Sequence, residues 1–390
     1  MKLSVHMLVL NAASVIERAL RSVAGAADEI CIVDTGSSDG TPDLVRYLCQ
    51  DVGLTGTETD RQGFVGVQII RLHPDTHPWL YFKDEPSSWK RTIPGPFTGL
   101  PILRDWAHAR NLGVEMCRGD WILKLDADDE CLDPGGLAKA VKQLAARPSI
   151  DYLVCPYEIM GVIPVNSYLH PTGIEMITYQ DRMWRNEPSI RFYLPLHERL
   201  SGRGTLSNGQ ANWLITAAGL RFRDWRDSTG MGVRVAHRNF KVLLAEQERL
   251  VARGEQLDPT SLYDLGCEAI DADPAFALDV LGQVPGAFSS CPGREAAWHE
   301  MRSQWHKDLA RAHRACGNRE QARLSYHASI EIYPRQVASW LGLGLLELEV
   351  GLCSWRETLK TAIKLADETA RFNVFLPDLM EARKLLEATP

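Results

Sequence analysis

The chain has 390 residues, 45% of them hydrophobic and 24% charged, with a formal net charge of −7. That is an ordinary soluble composition with a sizeable core, long enough for two domains or for one domain with an appendage. The acidic balance counts against a general nucleic-acid binder, and nine scattered cysteines without a Cys-x-x-Cys pair count against a disulfide framework.

Leu3 to Leu10 is a short apolar run that meets Asn11 without a cleavage-type site. It reads as a buried strand, not as a signal peptide. Ser14 to Ala24 carries apolar residues at Val15, Ile16, Ala19, Leu20 and Val23, the helical period. Glu29 to Val33 is a second strand. Asp34 to Pro42 is a dense turn signal, with Thr41 as expected N-cap and Pro42 as first helical residue. Val67 to Leu72 is a third strand. This alternation predicts a parallel sheet with helices on both faces.

Residues 73–103 break the pattern with six prolines, two tryptophans and no period, so they read as an inserted surface loop, a lid over a site. Leu103 to Met116 is helical and carries Arg110-Asn111. A strand at 121–125 follows, then the acids Asp126, Asp128 and Asp129, then a helix from Gly135 to Ala146. Asp151 to Met160 and Ile174 to Trp184 are further strands. Met231 to Arg253 is a long helix.

A strand that ends in three carboxylates delivers them to the rim where open α/β sheets bind ligands. Such acids repel one another unless a cation sits among them, and oxygen donors suit Mg²⁺ or Mn²⁺ that bridge phosphates. The competing reading is an acidic loop that only starts a helix. Asp133-Pro134 is a good helix start, yet it leaves the three earlier acids unexplained.

From residue 258 the pattern is all helical. Gly317 and Gly351 are 34 residues apart, as are Leu309 and Leu343, and Ala328 and Ala362. That period is the tetratricopeptide signature, with residues 262–284 as a degenerate third unit. A plain helical cap on the sheet domain is the alternative. Val337 to Cys353 contains Glu347 and Glu349 and is too broken to span a bilayer. Cysteines within apolar runs, such as Cys31 and Cys155, suit a reducing cytoplasm.

Five motifs in order carry a resemblance. They are Asn11 with Leu20-Arg21-Ser22-Val23; Val33-Asp34-Thr35-Gly36-Ser37-Ser38-Asp39-Gly40-Thr41; Ala109-Arg110-Asn111 with Gly119-Asp120-Trp121-Ile122; Asp126-Ala127-Asp128-Asp129; and Arg182-Met183-Trp184-Arg185 with His197-Glu198. Over residues 1–250 the chain resembles a family-two glycosyltransferase of the GT-A fold. It is most similar to the subgroup with C-terminal tetratricopeptide repeats, which includes peptide S-glycosyltransferases. The implied architecture is α/β: a GT-A, Rossmann-like, mostly parallel sheet domain (1–229), a bridging helix (230–257) and an all-α repeat region (258–390).

The resemblance implies residue roles. Asp34 accepts a hydrogen bond from the base of a nucleotide-sugar, a UDP-sugar in particular. Arg110 lies by the base or diphosphate, where its guanidinium fork suits phosphate oxygens. Asp126 contacts the ribose or donor sugar, and Asp128 ligates Mn²⁺ or Mg²⁺. Arg182 reaches the diphosphate, and His197 is a further metal or phosphate ligand. Inversion at the anomeric carbon needs a base on the acceptor side, and the candidates are Glu198, preferred, and Asp181.

Blander readings stand beside these. Asp34 and Asp39 would brace their turn. Arg110 would be a solvated helix residue, His197 a satisfied core histidine, and Arg182 or Arg185 structural. Arg221, Arg223, Arg226, Arg234, Arg238 and Lys241 would form a solvated basic surface. One departure is Phe222-Arg223-Asp224-Trp225, where the subgroup often carries a His-x-Gly-Tyr-like stretch.

The expected activity is metal-dependent, inverting transfer of a sugar to a hydroxyl or thiol, on a protein or peptide first, then on a glycan or a hydroxylated DNA base. A non-catalytic nucleotide-holding scaffold is the rival from another class. A nucleotidyltransferase would show a Gly-rich basic loop after the first strand, and Asn11-Ala12-Ala13-Ser14 is not one.

Overall fold

A computed structural model describes residues 1–53, 66–82, 103–147, 149–165, 168–200, 213–215, 220–225, 231–368 and 376–388. They divide into two compact units that part between Thr229 and Gly230. The first runs β1 (Leu3–Val9), α1 (Ile16–Val23), β2 (Glu29–Asp34), α2 (Thr41–Asp51), β3 (Val67–Arg71), a short 3-10 turn (Pro78–Leu80), α3 (Trp106–Met116), β4 (Trp121–Lys124), β5 (Asp129–Cys131) and α4 (Pro134–Ala145). It continues with β6 (Tyr152–Val165), β7 (Tyr168–Arg185), β8 (Phe192–Tyr193), β9 (Arg199–Leu200), β10 (Trp213–Ile215) and β11 (Phe222–Asp224).

The main sheet has the order β3-β2-β1-β4-β7-β6-β11-β5, with β10 on β6, and β8 and β9 form a separate pair. β3, β2, β1 and β4 are parallel, while β7 runs antiparallel to β4 and β6. Every residue of β2 is buried, as a parallel strand covered on both faces requires. Val5, Met7, Ile30 and Ile32 face a core shared with Ile16, Leu20, Val45, Leu48, Leu137 and Val141 of α1, α2 and α4. Cys31 and Ile122 face Ala107 and Val114 of α3 on the other side. The α/β architecture with helices on both faces is present.

Three local expectations change. Gly40, not Thr41, caps α2, because φ there is +82°, and the Asp39 carboxylate accepts the Thr41 N–H at 3.0 Å. The two separate strands read at 151–160 and 174–184 are parts of one long β6–β7 ladder. Residues 73–103 are not surface loop throughout. Leu80, Tyr81 and Leu103 are buried beside Val33, and Tyr81 and Leu103 form an antiparallel bridge. The lid expected there falls mainly on residues 83–102, outside the described residues.

The second unit is all helical: α5 (Met231–Val251), α6 (Pro259–Ala269), α7 (Pro274–Ser289), α8 (Glu295–Ala315), α9 (Arg319–Ile332), α10 (Val337–Glu349), α11 (Trp355–Glu368) and α12 (Leu376–Ala388). Gly317 and Gly351 follow α8 and α10 with φ of +77° and +75°, so the 34-residue spacing marks equivalent left-handed helix ends. Close helix pairing repeats too. A Cβ on Gly266 would lie 2.7 Å from Leu281, and one on Gly344 2.5 Å from Leu359. Both glycines face the residue fifteen positions on, so α6–α7 and α10–α11 pack in one register. α5 belongs to this unit, and its Phe240 ring meets Phe276 edge-on at 5.9 Å.

Candidate active site

β4 carries its apolar residues through the core and ends at Lys124, and residues 126–129 form a closed turn at the rim. The Asp129 N–H donates to the Asp126 carbonyl at 3.0 Å, and the Asp126 N–H donates to Asp129 Oδ2 at 2.9 Å. Asp129 then enters β5, which pairs antiparallel with β11 so that Asp129 stands opposite Asp224. The Trp225 N–H donates to the Asp128 carbonyl at 3.1 Å. The acid loop is therefore pinned on both sides. Asp133 caps α4 through the Gly136 N–H at 2.8 Å, as its sequence context predicts, and takes no part in the cluster.

Arg110 rises from α3 into this loop. Its Nη2 donates to Asp126 Oδ1 at 2.9 Å and its Nε donates to Glu198 Oε1, while Nη1 is buried without a partner among the described residues. Arg110 is buried, so the solvated-surface reading does not hold. Burial works against ionisation of Asp126, but Lys124, Arg110 and Arg182 outweigh it and hold that carboxylate far below its usual range. Burial likewise opposes the Glu198 charge, and Arg110 and Lys124 again prevail. Both acids are anions at neutral pH.

Asp128 is different. Burial, and then the charges of Asp224, Asp129 and Asp126, push it up to about 8. It is an acid among acids, without, among the described residues, the cationic neighbours that settle Asp126. Asp128 therefore fits a hard divalent cation, which favours carboxylate oxygens and would relieve the repulsion. Among the described residues, no three His, Cys, Asp or Glu side chains form a ready cage. A cation here would take Asp128 plus oxygens from a substrate.

Asp34 ends β2, fully buried. Its Oδ1 accepts the Ser37 N–H at 2.9 Å and its Oδ2 accepts Arg71 Nε at 2.9 Å, so turn bracing is one of its functions. Asn11, at φ +49°, ties the first loop to the second: its N–H donates to Ser37 Oγ at 2.8 Å and its Oδ1 accepts the Ser38 N–H at 2.8 Å. His197 is exposed and left-handed, φ +51°, which overturns the core-histidine reading. Asp181 stands on β7 opposite Val154. Arg185 is structural, with its Nε donating to the Ile150 carbonyl at 2.7 Å. Arg182, expected at the diphosphate, is instead fully buried between Tyr157 and Phe222 and bonds Asp129 at 2.7 Å. Arg221 and Arg223 are not merely solvated, since both pair with buried Glu158, at 3.2 and 2.6 Å.

Sequence reasoning missed several neighbours. Arg71 arrives from β3 with no local signal, and Asp224 arrives from β11, within the 222–225 stretch that the sequence marked only as a departure. His6 lies under the site, its pKa lowered to about 3 by burial and then by the Arg110 charge, so its imidazole is neutral. Gly113 makes room for it: a Cβ there would fall 2.3 Å from the ring. Lys124 flanks the acid motif, and its pKa is lowered by burial and then by Arg110. Its place two residues before Asp126 was the available signal.

A profile of glycosyl transferase family 2 matches residues 4–68 and 100–200. A TPR repeat-containing protein of Synechococcus elongatus is 28% identical over 218 residues, 55% of this chain and 40% of that protein. An uncharacterized glycosyltransferase of Rickettsia bellii is 27% identical over 129 residues, 33% of this chain and 28% of that one. The chain thus spans well under half the length of these two relatives. Among solved structures, S. aureus TarS 1–349 in complex with UDP-GlcNAc aligns over 90% of this chain and 93% of its own at 12% identity and a TM-score of 0.36. The Sgt2 TPR domain of Aspergillus fumigatus aligns over 33% and 79% at 19% identity and a TM-score of 0.26.

The doubly covered sheet with an acid loop at the end of β4 is the α/β unit that this profile matches. Residues 4–68 and 100–200 of that unit match glycosyl transferase family 2, and tetratricopeptide-like helix pairs make up the second unit.

Proposed function

We propose that this protein transfers a sugar from a nucleotide-sugar, a UDP-sugar first, to a hydroxyl or thiol on a protein or peptide, with inversion and with Mn²⁺ or Mg²⁺. The observation that carries this is the pinned acid loop, in which Asp126 is charge-compensated and Asp128 is not, inside a family-two domain. A bound metal would supply positive charge to the departing diphosphate. Asp128 would hold it, with His197 as a further metal or phosphate contact.

Each remaining role is proposed from position. Asp34 and the Asn11–Ser37 rim border the base. Arg110 offers its unpartnered Nη1 to a phosphate oxygen while its other nitrogens keep Asp126 and Glu198 in place. Asp126 receives a ribose or sugar hydroxyl. Glu198 takes the proton from the acceptor as its oxygen or sulfur bonds the anomeric carbon and the diphosphate leaves, and Asp181 is the reserve base. Arg182 supports the loop from below. Domain bounds of 1–229, 230–257 and 258–390 are proposed with it. The repeats favour a macromolecular acceptor over a free glycan or a hydroxylated DNA base.

No helix among the described residues is long and apolar enough to cross a membrane. Nine cysteines, all free in the structure, support action in the cytoplasm. The test is a panel of nucleotide-sugars in thermal shift and calorimetry, with and without Mn²⁺. Metal-dependent stabilisation by one UDP-sugar supports the proposal and names the donor for an acceptor search. A well-folded protein that responds to none is a scaffold.

A further inference from the structure

Asp129 has no role in the reading above, yet it is the most heavily bonded acid of the loop. Its side chain is fully buried. Oδ1 accepts the Tyr157 hydroxyl at 2.7 Å, and Oδ2 accepts both Arg182 Nη1 at 2.7 Å and the Asp126 N–H at 2.9 Å.

Arg182 arrives there by a break in the ladder. Leu153 pairs with Met183, and the next residue, Val154, pairs with Asp181. Arg182 is the extra residue of a β-bulge, a device that re-aims a side chain. Its guanidinium is sealed by Tyr157, 4.0 Å from the ring centre, and by Phe222 at 5.8 Å. Nε and Nη2 find no partner among the described residues. An enclosed guanidinium keeps its charge and needs an anion beside it. Asp129 is that anion. The next carboxylate is Asp126, whose Oδ2 lies 3.8 Å from the same Nη1.

We propose that Asp129 is a positioning residue of the site. Its charge keeps Arg182 Nη1 at 2.7 Å from itself and 3.8 Å from Asp126, and its Oδ2 closes the 126–129 turn, so Asp126 keeps its close bond to Arg110 and Asp128 stays, among the described residues, without a bonded cation. This rests on reading Asp126 and Asp128 as donor-side groups. Removal of the Asp129 charge alone turns Arg182 on Asp126 and spoils the loop. Removal of both charges does not.

The variants are Asp129→Asn, Arg182→Gln and the double substitution, and the probe is UDP with MnCl₂ in calorimetry, beside melting temperatures. Asparagine keeps the shape: its oxygen retains both donors at the Oδ2 position, and the Tyr157 hydroxyl turns to accept its amide. We expect Asp129→Asn to weaken UDP binding about tenfold or more, and the double variant to bind within about threefold of wild type. Wild-type affinity in Asp129→Asn, or a double variant no better than it, overturns the proposal. If the wild type binds no UDP, the proposed function fails and melting temperatures decide the strut alone: a double loss below the sum of the single losses upholds it, and additivity overturns it. A double variant that folds where Asp129→Asn does not upholds it, and if neither folds the proposal falls.

Discussion

Arg110 and Glu198 lie 88 residues apart and are joined at the rim of the sheet, Nε to Oε1, while Nη2 of the same guanidinium holds Asp126 at 2.9 Å. One side chain from α3 thus fixes the two carboxylates that flank the proposed donor. Arg110 is itself buried and shares with Lys124 the work of keeping both carboxylates charged.

Arg110→Ala removes the bonded cation from two partly buried anions. We expect a loss of about 3–5 kcal/mol in unfolding free energy, the range for breaking a buried ion pair, measured by urea denaturation at pH 7. Arg110→Lys retains the charge but loses the fork, so its stability falls less while transfer still falls at least about tenfold. Equal stability of Arg110→Ala and wild type would show that the cluster is not held by this residue.

Asp128 gives the pH dependence. Its folded pKa is about 8, well above the ordinary 3.8. Between those values the folded chain keeps a proton that the unfolded chain has lost. The stability this proton supplies is therefore lost as pH rises through the window and levels off above about pH 8. In chelator, the melting temperature should fall from pH 5 to pH 8.5, and Asp128→Asn should flatten that slope while melting higher at pH 8.5. A metal must displace the proton, so apparent Mn²⁺ affinity should rise by up to about tenfold per unit below pH 8. A flat affinity across that range would remove Asp128 from the metal.

Glu198→Gln tests the base. Loss of a general base lowers turnover by about 10²–10⁴-fold. Donor binding should persist, because the amide oxygen still accepts from Arg110 Nε. Asp181→Asn should leave turnover unchanged. The opposite pattern moves the role to Asp181.

Gly344→Ala tests the helical register. The added Cβ meets Leu359 at 2.5 Å. Overpacking of this kind costs roughly 1–3 kcal/mol. Circular dichroism should show earlier loss of helix, with UDP binding unaffected below the transition.

Much of the sheet unit is legible in sequence because its signals are local. β2 is a run of apolar residues closed by a Gly-rich turn, and α1 shows its period within eight residues. What escaped is non-local. Asp129-Glu130-Cys131 has poor strand propensity and is a strand because β11, ninety residues later, pairs with it. Pro171 and Gly173 argue against a strand, yet both lie inside β7. Arg182 turns inward at a bulge that alternation does not foretell, and Asp34 bonds an arginine from another strand. The acid motif itself was plain. Which of its acids is a strut, and which is without a counter-charge, depended on residues that the fold brings in.

The rim formed by Asn11 to Asp39 has a consequence for timing. Backbone N–H groups of Asn11, Ala12 and Ala13 donate to side chains of Ser37, Thr41 and Asp39 at 2.8, 2.8 and 2.9 Å, across 26 to 29 residues of chain. Neither loop holds its shape until β1 and β2 have paired, so this edge matures together with the core. Amide exchange at Asn11 to Ala13 should then be as slow as in β1 itself. A ligand that settles on this edge meets a surface already ordered, and little of its binding energy is spent arranging the loops.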